Sequence, residues 1–481
     1  MAGAVETLIR KAVTPAILKV AEFNRDRMKE TDTVHPFLTG PHKPMAKEVT
    51  LDQLTVTGII PAELDGRYLR NGPNPLEAPA PNHHWFSGDA MVHGLRIKDG
   101  KALWYKNRWL RSTAVSAALG EPAVPGPRSP LFETANTNVI GHAGKIYGIV
   151  EAGAYPVQLD ADLNTVAHDP FDGTLRNSFS AHPHLDPETG ELHAICYKGD
   201  VTDTIWHTVV DTDGKVRREE PIRVKNGPMI HDCMITESYV IILDLPVTFS
   251  MKTMLAGYRF PYMWNPEHKA RVGLLPREGK NADVVWCAVD PCAVFHPANA
   301  YETHDGKVTM DVCAHDTMFA TSRVGPDSKS CPLERWTIDA VVQTVERTVI
   351  DAESQEFPRP DERFIGKSYR YAFTTALPKD HLFQLGADTR LFRHDFLEGT
   401  RQVHDFGPDR NPGEFVFVPR SDDAVEGDGW LMGFVINMAN ETTDYVILDA
   451  MNFEGAPVAT VHIPHRIPPG FHGNWIASQN A

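Results

Sequence analysis

Four histidines in this chain each stand beside a rigid or compact residue at what read as strand starts: Ala181-His182-Pro183, Ile230-His231-Asp232, Phe295-His296-Pro297 and Phe471-His472-Gly473. They are spaced 49, 65 and 176 residues apart. If one structural unit takes roughly 50–60 residues, those gaps amount to one, one and three units, and recurrence on that scale marks solenoids, propellers and arrays. A linear array keeps such histidines apart. A radial architecture, which aims one strand of each unit at a common axis, brings them onto a single point. Imidazole ligates iron, copper, zinc and nickel, and four neutral imidazoles leave a divalent charge uncompensated, so carboxylates are expected nearby.

From about residue 66 the chain consists of short strands broken by Asp-Gly, Gly-Lys and Asn-Gly turns, with no long helical period. The hairpin-like stretches number seven: Met91–Arg111, Asn138–Val166, Gly190–Val224, Ser238–Val247 continuing through Asp283–Val289, Gly306–Ile350, His381–Phe406 and Gly429–Ile463. No linker divides them, so an all-β propeller forming one domain over 1–481 is expected, and not a pair of sandwiches. Two insertions interrupt the rhythm, at 112–133 and at 248–272. The second gathers Phe249, Met251, Met254, Leu255, Tyr258, Phe260, Tyr262, Met263 and Trp264, which suits a cap, a tunnel mouth for an apolar ligand, or ordinary packing.

A net charge of −16 opposes nucleic acid as a partner, because phosphate binding needs clustered cations. Six cysteines without a Cys-x-x-Cys pair fit reduced thiols in a cytoplasm. No apolar run approaches the roughly 20 residues of a membrane span, and no signal-peptide order opens the chain. The segment 4–23 sets Val5, Leu8, Ile9, Ile17, Val20 and Phe23 among Arg10, Lys11 and Lys19, with Pro15 interrupting it. It reads as a helix packed on the body, or as one that touches lipid.

Three glutamates sit beside apolar strand residues: Glu151 after Ile146–Val150, Glu356 before Phe357-Pro358, and Glu414 before Phe415-Val416-Phe417. A carboxylate buried there needs a donor, and an imidazole N–H is a suitable one; each alone is equally well a surface strand residue.

The chain resembles the carotenoid cleavage oxygenases, among them the bacterial apocarotenoid-cleaving dioxygenases and the related lignostilbene dioxygenases. The stretches that carry the likeness are Arg70-Asn71-Gly72-Pro73-Asn74-Pro75, His84-Trp85-Phe86-Ser87-Gly88-Asp89 with Met91-Val92-His93-Gly94, Ala181-His182-Pro183 with Asp186-Pro187, and Phe295-His296 with Asn299-Ala300-Tyr301-Glu302. Glu356-Phe357-Pro358 and Phe471-His472-Gly473 complete the set, in the family's order from about residue 50 onward.

The resemblance implies a seven-bladed β-propeller with a helical and loop cap over the face that holds the metal, the cap being drawn from 1–45, 112–133 and 248–272. It implies one Fe(II) per subunit on His182, His231, His296 and His472, with dioxygen as co-substrate and no organic cofactor. Glu151, Glu356 and Glu414 become the outer partners of three of these histidines, and His182 is expected to be the one left without. His84, His93, His184, His304, His315, His462 and His465 are expected to be structural or exposed.

The implied activity is cleavage of a conjugated double bond of an apocarotenoid, such as 13,14 cleavage of an apocarotenal, into two carbonyl products. In the stilbene cleavers a lysine that grips the phenol precedes the first of these glutamates; here that position is Val150, which favours a polyene. Stilbene cleavage and a non-enzymatic propeller that presents its faces to protein partners stay open, as does peripheral membrane contact. Isomerohydrolase chemistry has little support in the sequence.

Overall fold

The computed structural model describes residues 16–28, 35–77, 82–129, 132–378 and 388–478. Val5, Leu8, Ile9, Arg10, Lys11 and Pro15 of the N-terminal segment lie outside the described residues, as does the start of the hairpin expected from His381.

Inner strands such as Gly66–Pro73 and Ala293–Glu302 are buried on both faces, and outer strands are not. Ala293–Glu302 is buried over its first eight residues, whereas Thr344–Asp351, the far strand of the same antiparallel run, is mostly exposed. Lys101–Trp109 shows the intermediate case: beyond exposed Lys101 and Leu103, buried Tyr105, Asn107 and Trp109 alternate with half-buried Trp104, Lys106 and Arg108. This is the period-2 pattern of a strand with one face on a neighbouring sheet.

Five sheets of four to six strands stand as separate blade-like units. One joins Val49–Leu51, Lys101–Trp109, Ala90–Lys98, Gly66–Pro73 and Gly473–Ala477; the others run over Asn138–His168, His184–Arg223, Gln355–Asp405, and Arg410–Ile463 with Thr55–Gly58. A sixth sheet has eight strands, from Cys233–Ile235 to Val285–Ala288 and from Thr344–Asp351 back to Ala293–Glu302. The expected seven separate blades are therefore corrected to five. The hairpins at Ser238–Val289 and Gly306–Ile350 share one sheet, because their outer strands meet edge to edge in a parallel pair, Ala288 beside Thr344. Inside the 248–272 insertion, Val247–Phe249 and Tyr262–Trp264 form a two-stranded ribbon around the short helix Met251–Leu255.

The innermost strands abut in a ring, which makes the arrangement propeller-like. Gly66–Pro73 and Gly473–Ala477 meet Asn138–His142, and Cys233–Ile235 meets both His184–Leu185 and Ala293–Glu302. Gln355–Pro360 and Val416–Pro419 then lead back to Gly473–Ala477. Asn138 Nδ2 donates to Ala181 O at 2.9 Å, tying the second sheet to the third. The C-terminal strand closes the ring by pairing antiparallel with Gly66–Pro73, Gly473 opposite Arg70. Tyr68, Leu95, Trp430, Phe434 and Tyr445 fill the seam between the first and last sheets, where each buried large side chain contributes on the order of 1.5–3 kcal/mol.

No helix among the described residues is long and apolar enough to cross a membrane. All six cysteines are buried and free.

Closure needs glycine at 72, where an added Cβ would fall 2.6 Å from Gly470 Cα. Gly72→Ala is expected to lower the stability of the fold by about 1–3 kcal/mol, the usual range for overpacking. Urea unfolding measures this, and an unchanged midpoint would show that the closing segment yields.

Candidate metal centre

Each of the four histidines is delivered by an inner strand. His182 and His231 lie two residues before His184–Leu185 and Cys233–Ile235, and His472 immediately precedes Gly473–Ala477. His296 lies within Ala293–Glu302, at an irregularity of register between Val294 and Pro297. All four are buried, and one ring nitrogen from each lies within 4.8 Å of those of the other three.

The three glutamates reach the outer side of three of these rings. His231 Nδ1 lies 2.7 Å from Glu151 Oε1, His296 Nδ1 2.5 Å from Glu356 Oε2, and His472 Nδ1 3.1 Å from Glu414 Oε1. An ionised carboxylate only accepts, so each Nδ1 carries the proton and each neutral ring turns an Nε2 lone pair inward. His182 has no glutamate; its nearest carboxylate is Asp232, with Oδ2 3.6 Å from Nδ1. Backbone shape helps to aim two of the glutamates. The residue after each, Ala152 at φ +67° and Phe357 at φ +54°, adopts the left-handed conformation, at a cost of about 1–3 kcal/mol each.

The donor set fits a divalent cation. His231 Nε2 and His296 Nε2 lie 3.3 Å apart, and His182 Nε2 is buried without a hydrogen-bond partner among the described residues. Lone pairs facing each other at that distance repel unless positive charge lies between them. For bonds of about 2.1 Å, adjacent ligands of an octahedral ion stand roughly 3 Å apart. Three carboxylates just outside the rings supply the negative charge that four neutral imidazoles lack.

The electrostatics separate the rings. Burial, reinforced by the other imidazoles, pushes His182 well below the ordinary imidazole range. Burial also lowers His472, against the opposing pull of Glu414. At His296 burial acts downward too, but Glu356 outweighs it and the net direction is up. Glu414 is lowered although burial raises it, because Arg359 and His472 prevail.

The centre opens onto a cavity of about 740 Å³. His231, His296, His472, Glu151 and Glu356 form part of its wall, and Phe86, Phe260, Tyr262, Phe295, Phe357 and Phe471 supply an aromatic lining. Phe357 stacks on the His296 ring with centroids 5.5 Å apart, and Phe295 meets His231 edge-on at 5.0 Å. Val150 lines this space, as do Phe249, Met251, Met254 and Tyr258 of the 248–272 insertion and Ile17, Leu18 and Ala21 of helix 16–25. Asn24 and Arg25 tie that helix to Leu255 O and Gly257 O, at 2.7 and 3.1 Å.

Two further side chains, Asp232 and His315, meet this centre. Asp232 joins His184 Nε2, at 2.8 Å, to the His182 side, and His315 Nε2 lies 2.9 Å from Glu356 Oε1. Of the other histidines set aside above, His84 stacks on Phe260, His93 bonds Tyr105, His462 bonds Asp444, His465 lies against Tyr105 and His304 is exposed.

Comparison with known proteins yields the following relatives. The family described as retinal pigment epithelial membrane protein matches residues 42–477. A carotenoid cleavage oxygenase of Mycobacterium tuberculosis is 42% identical, over 92% of this chain and 98% of its own. A lignostilbene dioxygenase of Pseudomonas brassicacearum superposes with a TM-score of 0.84 at 28% identity, over 94% of this chain and 100% of its own. The cobalt-substituted apocarotenoid oxygenase of Synechocystis does so at 0.82 and 26%, over the same shares.

Replacing Glu356 by Ala is expected to weaken Co(II) or Fe(II) uptake about 10–100-fold, measured by competition with a chelator. Uptake should also weaken as the pH falls from about 8 to about 6, because the raised His296 must give up a proton before its Nε2 can ligate. A pH-independent Co(II) titration would contradict that assignment.

Proposed function

This chain belongs to the retinal pigment epithelial membrane protein family, that of the carotenoid cleavage oxygenases, and on that premise we propose that it is an Fe(II)-dependent dioxygenase cleaving a conjugated carbon–carbon double bond of an apocarotenoid into two carbonyl products. The observation that carries this reading is the convergence of four buried imidazoles, three of them braced by carboxylates, at the wall of an aromatic cavity. His182, His231, His296 and His472 hold one iron in this reading, and Glu151, Glu356 and Glu414 fix the protonation of three of the rings. Bound Fe(II) supplies the activation of dioxygen, the co-substrate.

The chain's own part is placement. A cavity of this volume, within the range of small-molecule sites, accommodates an extended apolar ligand. The rings of Phe86, Phe260, Phe295, Phe357 and Phe471 keep water from its conjugated segment. No side chain is required as a general base. Which bond is cut follows from how far the polyene can advance, and 13,14 cleavage of an apocarotenal is the specific form of the proposal.

The fold is read in the same sense, as a single domain over 1–481. The described parts of segments 1–45, 112–133 and 248–272 are read as the cap. Free cysteines suit a reducing cytoplasm. Val20 and Phe23, exposed beside the cavity-lining residues of their helix, and Met251, exposed at the cavity wall, suit peripheral contact with a membrane that stores the substrate.

Stilbene cleavage is the second reading, favoured by the aromatic lining and by the likeness to a lignostilbene dioxygenase. Val150 in the cavity wall argues against it, since a valine cannot bond a phenol.

Mass spectrometry of the products formed from apocarotenals, β-carotene and resveratrol decides between the readings. Paired carbonyl fragments from apocarotenals alone are expected, and intact substrates throughout would overturn the enzymatic assignment. Activity should vanish on chelation and return with Fe(II). Val150→Lys is expected to raise turnover of hydroxystilbenes relative to apocarotenals, and an unchanged ratio would remove that position from substrate selection.

A further inference from the structure

We propose that His315 is a positioning residue for the metal centre, locking the Glu356 carboxylate and through it the plane of the His296 ring. The inference rests on the reading of the four imidazoles as metal ligands and extends it one layer outward.

His315 ends the strand Val308–His315 and is wholly buried. Its Nε2 lies 2.9 Å from Glu356 Oε1 and its Nδ1 2.8 Å from Ser328 Oγ; Cys331 Sγ packs 3.4 Å from Nε2, and Phe295 meets the ring edge-on at 5.3 Å. Because a carboxylate only accepts, Nε2 must donate, which in the neutral ring leaves Nδ1 to accept from the Ser328 hydroxyl. A continuous relay of hydrogen bonds results. Ser328 holds His315, His315 holds Glu356 Oε1, and Glu356 Oε2 receives His296 Nδ1–H together with the Phe357 backbone N–H at 2.6 Å.

The three glutamates differ in this respect. Glu151 Oε2 is buried without a partner among the described residues, and Glu414 is held by the Gly473 N–H and by Arg359 at 3.6 Å. Of these three glutamates, Glu356 alone sits between two imidazoles. A carboxylate bonded at both oxygens cannot turn about its terminal bond, so the ring it orients is fixed as well. Burial raises Glu356, but His296 and His315 reverse this and keep it far on the anionic side. His315 also ties the segment that carries Ser328 to the metal centre.

The test uses the full chain and Co(II) as the probe. His315→Leu leaves Glu356 Oε1 without a donor, so Co(II) affinity should fall about tenfold and the visible Co(II) absorption should change with the altered His296 geometry. His315→Gln, whose amide N–H reaches the same oxygen, should restore most of both. The proposal is overturned if His315→Leu melts as the parent does and binds Co(II) with the same affinity and spectrum, or if His315→Gln is no better than His315→Leu. If His315→Leu does not fold, Ser328→Ala should still weaken Co(II) binding in the same direction by a smaller factor, and no change there also overturns it. Failure of the unaltered protein to take up Co(II) would instead remove the metal-centre reading itself, and this inference with it.

Discussion

The centre depends on hydrogen bonds between buried imidazoles and buried glutamates. An ionised carboxylate withdrawn from water costs several kcal/mol unless it is paired, and an imidazole meets each of Glu151, Glu356 and Glu414, with further donors on Glu356 and Glu414. The dependence is mutual. Without a carboxylate on Nδ1 the rings have no fixed tautomer, and the inward Nε2 atoms lose the orientation that brings His231 and His296 to 3.3 Å. A divalent cation answers both sides, because it neutralises the acids and occupies the lone pairs.

The radial arrangement follows from what such a centre demands of the backbone. Four histidines from distant parts of the chain meet here because several sheets present an inner edge to one axis, and an inner strand such as Ala293–Glu302 is buried on both faces because it has neighbours on both. The price appears as strain where the chain must turn sharply to aim a carboxylate, at Ala152 and Phe357. Phe357 uses that turn twice, since its N–H bonds Glu356 and its ring covers His296 at the cavity wall.

Chemistry and recognition are divided between two layers. The ring of inner strands supplies the nitrogen and carboxylate groups, while helix 16–25 and the 248–272 insertion supply much of the apolar wall above them. That wall includes Phe86, Phe260, Phe295, Phe357, Phe471 and Val150, so a ligand there is met by shape and aromatic contact.

The sequence by itself determined the strand rhythm and marked the four histidines, because turn chemistry, period-2 alternation and a rigid or compact neighbour beside each histidine are local signals, while the three glutamates took their role from the family resemblance. Five of the seven hairpin stretches fall, to within a few residues, on antiparallel runs of the fold; the fourth omits Arg271–Pro276, the strand that pairs with both Tyr239–Asp244 and Val285–Ala288, and the start of the sixth, at His381, is outside the described residues. Only the tertiary structure decided that Val285–Ala288 and Thr344–Asp351 join edge to edge, since that contact is made by backbone groups that every residue carries. It alone also brought His315 to Glu356 and Asp232 to the His182 side. His315 closes a strand 41 residues before its partner, in a context no different from other buried histidines, and proximity across sheets leaves no mark on local sequence.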